Sequence, residues 1–369
     1  MLARMLLLTG ATGFVGMEVL ARFLDRTDQP VLALVRARDD EAAAERLRGV
    51  AATLYGDPDA HRERLIPLRG DLEQETPALP GDVSSVFHCA ASVSFTLGLA
   101  ESRAINVEGT RRMLELASRL PRLERFSYMS TAYVAGTHAG VFGEDDLEVG
   151  QGFRNAYERS KFEAERLVRS SRLPTQVLRP SIVVGDRRTG WTAAFNVLYA
   201  PLRLFAHGAY AAVPARRSSP VDVVSVDYVA DAAHELATRG DEVTYQLVAG
   251  RRAATVGRLM ELAARYFGRR PPLTVPPRLY SRLVHPLLRR VTRGRRRRAL
   301  ERSEPYFPYF DVRVRYDDAR ARAALEPAGI RVTPVEDYFE RLADFAVRSR
   351  WGRASVDRRS GARRRPRAG

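Results

Sequence analysis

Thr9-Gly10-Ala11-Thr12-Gly13-Phe14-Val15-Gly16 decides the fold. It follows the apolar run Met5-Leu6-Leu7-Leu8 and opens a helical pattern, so a buried strand meets a helix across a glycine-rich turn. Glycines at 10, 13 and 16 suit a tight turn, close backbone approach to a pyrophosphate and close helix–strand packing. The first helical N–H groups and the positive end of the helix dipole would then face the phosphates. Between a strand and a helix, the motif predicts a dinucleotide site built on Thr9, Gly10, Thr12, Gly13, Phe14, Val15 and Gly16. The plain alternative is a purely structural turn.

Outward from this turn, short apolar runs alternate with helical stretches. Met5–Thr9, Val31–Val35, Leu65–Leu68, Val83–Cys89, Arg125–Ser130 and Gln176–Leu178 read as strands. Helical patterns lie near 15–25, 40–55, 101–119 and 155–170. The βαβα alternation predicts an α/β fold, a Rossmann-type doubly wound parallel sheet. Further on, Trp191, Phe195, Leu198, Tyr199, Leu202 and Phe205 are spaced as one wide helical face, interrupted by Pro201. Val223 to Leu236 returns to strand and helix, with Asp227 as the expected N-cap. The expected organisation is an NAD(P)-binding domain over 1–250, with 186–220 contributing to a substrate pocket. A smaller, mostly helical cap region follows over 251–349, then a disordered basic tail over 350–369.

The 369 residues are 45% hydrophobic and 28% charged, which excludes a wholly disordered or collagen-like chain. The single cysteine, Cys89, leaves no intramolecular disulfide and no cysteine-rich zinc site; no metal site is expected, and a reducing cytoplasm is. Met1–Leu8 reads as the first strand rather than a signal peptide, and no apolar run approaches the roughly 18 residues a spanning helix needs. The net charge of +16 suggests nucleic acid until it is located. Residues 278–302 hold ten arginines against one acid, and residues 350–369 hold eight against one. Those two segments carry the whole excess, leaving 42 basic against 42 acidic side chains elsewhere. Arg295–Arg298 and Arg363–Arg365 come with no recognition helix or stacking module, so nucleic acid is not the expected partner. Of the 60 basic residues only Lys161 is lysine, which suggests a position where arginine does not serve.

That lysine stands in Tyr157-Glu158-Arg159-Ser160-Lys161, which puts a phenol and an ammonium at i and i+4 on one helix face. A phenol is a weak acid–base catalyst until a nearby cation lowers its pKa, and that is the effect expected of Lys161 here. Ser130-Thr131, at the end of the fifth strand, offers a hydroxyl to polarise a carbonyl. Where an NAD-preferring enzyme carries an acid after its second strand, this chain has Arg36, with Arg38 behind it. A guanidinium there suits a 2′-phosphate and favours NADPH over NADH. Asp71 and Leu72 are placed for the adenine side, and Ala90-Ala91 keep the wall beside the cofactor small.

These motifs together resemble an extended short-chain dehydrogenase/reductase, and within it the fatty acyl-CoA reductase or thioester reductase branch with its male sterility-type NAD-binding domain. The resemblance is carried by TGATGFVG at 9–16, LVR at 34–36, GDL at 70–72, VFHCAASVSF at 86–95 and NVEGT at 106–110. It continues through YMSTAYVAG at 128–136, YERSK at 157–161 and LRPSIVVG at 178–185, spanning roughly residues 5–240. It implies catalysis by Tyr157 and Lys161, a catalytic hydroxyl at Thr131 with Ser130 as neighbour, Asn106 supporting the active-site helix, and Pro180 and Ser181 flanking a nicotinamide. It also implies hydride transfer to an acyl thioester, giving an aldehyde and then an alcohol if a second hydride follows, and it allows a homodimer. The other readings are a reductase of a ring alcohol or ketone, a nucleotide-sugar enzyme, or a non-catalytic NAD(P) sensor; the intact Thr131, Tyr157 and Lys161 argue against the sensor.

In the C-terminal half, 191–205 is the expected acyl-binding wall, with an ordinary core helix as the plain reading. Leu279, Leu283, Leu287 and Val291 share a helical face, beside Val284 and Leu288, with Arg278, Arg282, Arg289 and Arg290 around them. Such a basic amphipathic helix suits an anionic membrane surface, an acyl carrier protein or coenzyme A phosphates, or simply a solvated face. Pro305-Tyr306-Phe307-Pro308-Tyr309-Phe310 reads as a packing plug.

Overall fold

The computed structural model describes residues 4–74, 77–195, 197–210, 212–291, 293–294, 297, 301 and 304–358. Five short strands lie where apolar runs predict them: β1 (Met5–Thr9), β2 (Val31–Val35), β3 (Leu65–Arg69), β4 (Val83–His88) and β5 (Arg125–Met129). A sixth, Thr175–Pro180, contains the expected Gln176–Leu178, and Thr244–Leu247 completes a seven-stranded sheet in which every pairing is parallel. Spatially β4 and β2 flank β1, so the chain direction of the winding reverses beside β1. Ligands of open α/β sheets bind at the carboxyl ends of strands at such a switch point. The helices α1 (Phe14–Arg26) and α2 (Asp40–Tyr55) connect the first three strands, and the apolar interiors of β1 and β2 are buried throughout.

The C-terminal part adds small two-stranded pairings instead of extending the sheet. Ala212–Pro214 pairs with Leu273–Val275, and Gly140–Phe142 with Val314–Tyr316. A second apolar core lies between this part and the catalytic loops, built on Tyr199, Leu202, Phe205, Leu259 and Phe339.

Four expectations need correction. The wide-faced helix begins only at Tyr199 and ends at Ala206. Gly190 turns the chain at φ +74° against the backbone of Arg341, and Trp191 folds back onto Phe14, ring centroids 5.9 Å apart. Pro201 then falls in the first turn, where its missing N–H costs no helical bond. The N-cap of the helix Val226–Arg239 is Ser225; Asp227 accepts the Arg187 N–H at 3.0 Å. The pattern at 101–119 is a helical run interrupted by a π-turn at Ala104–Glu108. Finally, residues 350–358 are folded against the body: Trp351 stacks on Phe267, and Arg358 makes two 2.8 Å bonds to Glu18. The remainder of the expected tail, with Arg363–Arg365, lies outside the described residues.

Candidate active site

The glycine turn closes between β1 and α1. Gly10 adopts φ +76°, and a Cβ there would stand 2.7 Å from the Ala90 nitrogen; a Cβ on Gly16 would stand 2.0 Å from the Gly10 carbonyl oxygen. Both glycines therefore let backbones touch. Gly13 differs, since only the Gly10 oxygen lies within reach of an added Cβ, at 3.3 Å. It caps α1 without a side-chain bond, leaving the N–H groups of Phe14, Val15 and Gly16 aimed outward. Those residues fit a pyrophosphate, which the turn would hold by backbone donors and the helix dipole. Thr9 faces the other way: its hydroxyl accepts the N–H groups of Cys89 and Ala90, both at 3.1 Å, and ties the turn to β4.

The catalytic helix, Ala156–Ser170, starts at Asn155, whose side chain accepts the Glu158 N–H at 2.9 Å. Tyr157 stands in its first turn, with the Thr131 hydroxyl close enough to act on its phenol. Thr131 caps the turn Ala132–Ala135 and reaches the Pro180 carbonyl at 3.4 Å. Asn106, in the π-turn, clamps the Ser92 backbone from both sides and donates to Ser160 Oγ at 2.9 Å. It thus braces the helix between Tyr157 and Lys161; π-turns recur at functional sites for this kind of re-aiming. Ser130 goes elsewhere: its hydroxyl donates to Glu165 at 2.6 Å, inside a fully buried ion pair with Arg179. That contact holds the end of β5 to the catalytic helix and leaves Thr131 as the hydroxyl beside Tyr157.

Electrostatics depart from expectation. The Lys161 ammonium donates to Tyr128 Oη at 2.7 Å and to the Met129 carbonyl at 2.8 Å, and lies 4.2 Å from the centre of the Tyr128 ring. Burial pushes it down to about 8. Tyr157 is pushed up to about 12 by desolvation, with the Thr131 hydroxyl opposing. Desolvation thus decides the direction for the phenol, and two of the ammonium's donors are committed to β5. A protonated Tyr157 is poised to give a proton rather than take one.

Below the lysine runs a buried chain of hydroxyls. Tyr128 meets Thr110, Thr110 donates to the Asn106 carbonyl at 2.7 Å, and His88 links Thr110 at 3.1 Å to Thr9 at 2.7 Å. Since Thr110 gives its proton to Asn106, His88 Nε2 donates and Nδ1 accepts from Thr9, which fixes a neutral imidazole. Burial agrees, holding His88 down to about 3. Tyr128 and His88 lie inside sequence runs that already mark the site, but no spacing rule reveals the network.

On the adenine side, Arg36 is exposed and bonded to Glu73 at 3.0 Å. Arg38 pairs with its neighbour Asp39. A residue missed by sequence reading, Arg46 of α2, donates to the Arg36 carbonyl and lies 3.4 Å from the Thr12 hydroxyl. Asp71 caps its own turn by accepting the Glu73 N–H at 3.0 Å, and Leu72 packs by Gly109. Ala90 and Ala91 are small and partly exposed at the end of β4, and Ser181 follows Pro180 beside the buried carboxyl of Asp222. Among the described residues no group of three or more His, Cys, Asp or Glu side chains could hold a metal.

Beside the catalytic residues lies an apolar cavity of about 820 Å³ including its mouth, lined among others by Ile182, Leu202, Phe205, Leu259, Tyr309 and Phe339. The aromatic segment 304–311 forms its wall toward the site. Tyr309 stacks on Phe95 with centroids 5.1 Å apart, and Phe95 lies 5.7 Å from Tyr157. The Tyr309 hydroxyl donates to Glu158 at 2.8 Å and accepts from Asn155 at 2.7 Å. The expected plug is thus a partition between Tyr157 and the cavity, hydrogen-bonded to the first turn of the catalytic helix.

The chain is similar to several known proteins. Isonitrile lipopeptide synthase from Streptomyces coeruleorubidus is 34% identical over 210 residues, 53% of this chain but 14% of that protein. Fatty acyl-CoA reductase 1 from Mus musculus is 34% identical over 145 residues, 35% of this chain and 28% of that protein. The crystal structure of the terminal R domain from the myxalamid PKS-NRPS biosynthetic pathway superposes with a TM-score of 0.80 at 26% identity, over 96% of this chain and 93% of that one. The chain therefore spans only a small part of these curated relatives, and nearly the whole of a solved reductase domain. The family model described as male sterility protein matches residues 8–233. With the glycine turn, the Thr131–Tyr157–Lys161 cluster and the parallel sheet in place, the chain belongs to the male sterility protein family of NAD-binding domains.

Proposed function

We propose that this protein is an NADPH-dependent reductase of acyl thioesters whose acyl part is long or otherwise apolar. The observation that carries the reading is an apolar cavity one aromatic wall, Tyr309 on Phe95, away from the hydroxyls of Thr131 and Tyr157, the latter a protonated phenol. Family membership alongside a fatty acyl-CoA reductase and a synthetase R domain supports the same chemistry, on coenzyme A or a carrier protein. A bound reduced nicotinamide would supply a hydride to the acyl carbon. Thr131 and Tyr157 hold the carbonyl oxygen, and Tyr157 gives its proton as the oxygen gains charge. Lys161, one turn along the same helix and anchored on Tyr128, supplies a positive charge to this end of the site. The reduced thioester is a hemithioacetal, which expels thiol to leave an aldehyde. A nucleotide sugar needs polar partners that this cavity lining does not offer.

The preference for NADPH rests on Arg36 and Arg46, two guanidiniums around the turn from β2 where the ribose 2′ position falls in such folds. The first 250 residues then serve as the cofactor domain. Residues 251–349 close the substrate cavity together with 186–220.

The test is NADPH oxidation with thiol release across a panel of acyl-CoA thioesters, with a ring ketone as control. Tyr157→Phe is expected to lower turnover by about 10²–10⁴-fold while NADPH binding, read by fluorescence, persists. Undiminished turnover in that variant, or activity confined to the ketone, overturns the reading.

A further inference from the structure

We propose that the helical run from Pro277 to Val291 is a docking face for an anionic lipid bilayer, placed at the mouth of the apolar cavity. The run is continuous through Pro286 and contains a π-turn at Tyr280–Val284. Its inner side is fixed: Tyr280 is buried with its ring 5.5 Å from Phe307, and His285 bonds Glu304 at 3.0 Å. Its outer side carries leucines one turn apart, Leu279, Leu283 and Leu287, which are 47%, 63% and 59% exposed. Leu273, in the preceding strand, is 74% exposed. A helix docked on its own domain buries such residues; here they point away from it.

Charge names the partner. Between Glu261 and Glu301 the chain carries 12 arginines and no acid. Arg278, Arg282, Arg290, Arg293 and Arg297 are exposed, and among the described residues beyond the run Arg297 pairs with Glu301. A merely solvated basic face needs no aligned leucines. A protein partner offers fixed pockets, whereas an anionic bilayer accepts protruding leucines together with a surrounding ring of guanidiniums, whose stems cross the headgroup region. No helix among the described residues is long and apolar enough to cross a membrane, so attachment here is to the surface. The face also borders the cavity. Pro272 lines the cavity immediately before exposed Leu273, and Tyr306 lines it next to Phe307, on which Tyr280 packs. A bilayer on this face would lie close to the cavity; delivery of an acyl chain from it rests on the proposed reaction, while the docking itself does not.

The experiment is co-sedimentation of the full chain with vesicles of phosphatidylcholine, alone or mixed with phosphatidylglycerol. Binding is expected to the mixed vesicles only, and to weaken as salt is raised. Two independent variants, Leu279→Ser/Leu283→Ser/Leu287→Ser and Arg278→Glu/Arg282→Glu/Arg290→Glu, should each bind at least about tenfold more weakly. Both should keep the thermal melt and the turnover of a short, water-soluble thioester. Three results overturn the proposal. The protein stays in the supernatant with mixed vesicles; both variants bind as the parent does; or the leucine variant instead abolishes a dimer or a complex with an acidic carrier protein, which would make that partner the occupant. Vesicle binding without thioester turnover would leave the docking standing and remove the reaction.

Discussion

Tyr128→Phe isolates one hydroxyl at the base of the site. The ring stays, and with it the contact that lies 4.2 Å from the Lys161 ammonium. What is lost is the acceptor 2.7 Å from Nζ, leaving the Met129 carbonyl as the described partner. A hydrogen bond to a buried charged group contributes about 1.5–3 kcal/mol. One pKa unit corresponds to about 1.4 kcal/mol. Lys161 is already held at about 8 by burial, and losing the bond disfavours its charged form further. If the cation is needed, the alkaline limb of kcat/KM should move from near 8 down by about one to two pH units. Initial rates of NADPH oxidation, measured across neutral and alkaline pH at limiting thioester, read this directly. Activity near pH 6 should survive in large part, because there the variant lysine still carries its proton. An unmoved limb refutes the reasoning, and so does an equal loss at every pH, which would mark Tyr128 as a packing residue only.

Arg46→Ala removes a guanidinium that borders both Arg36 and Thr12. NADPH affinity by calorimetry should fall about 5–30-fold with NADH unchanged; equal losses for both would remove the 2′-phosphate assignment. Glu165→Gln leaves the fully buried Arg179 cation without its counter-charge and weakens the tether to Ser130. Urea unfolding should show about 3–5 kcal/mol less stability, and a change below about 1 kcal/mol would mean the pair is replaceable. Leu202→Trp fills part of the apolar cavity. The preferred acyl chain should shorten while short thioesters keep their rate, and an unchanged chain-length profile would place the acyl group elsewhere.

The strands and first helices were legible in the sequence because their signals are local. A parallel strand buried on both faces must be an apolar run, as Leu6-Leu7-Leu8 and Val31–Val35 are. The glycine turn is equally local: only glycine tolerates φ +76° at position 10 and the backbone contact at position 16. The helical period puts Tyr157 and Lys161 on one face, while their expected roles, with those of Asn106 and Thr131, come from the family resemblance. Where a fixed local geometry was absent, the reading drifted. The 191–205 pattern has helical spacing, yet the left-handed turn at Gly190 and the packing of Trp191 on Phe14 delay the helix to Tyr199.

Tertiary structure alone decided where each polar group spends its bonds. Ser130 and Thr131 are adjacent hydroxyls, of which the resemblance favours Thr131 with Ser130 as neighbour, and alternate residues leave a strand end in different directions. One is consumed by Glu165 and the other meets Tyr157. Lys161 was expected to act on Tyr157; Tyr128, 33 positions earlier, takes its proton donor because β5 passes beneath the helix. Arg46 joins Arg36, and Tyr309 closes on Phe95, across chain separations that no periodicity encodes. Sequence by itself determines which residues can form turns, strands and helix faces, since those depend on neighbours within one or two turns. Which of those residues share a proton, a charge or a wall depends on how the packed layers bring distant segments together.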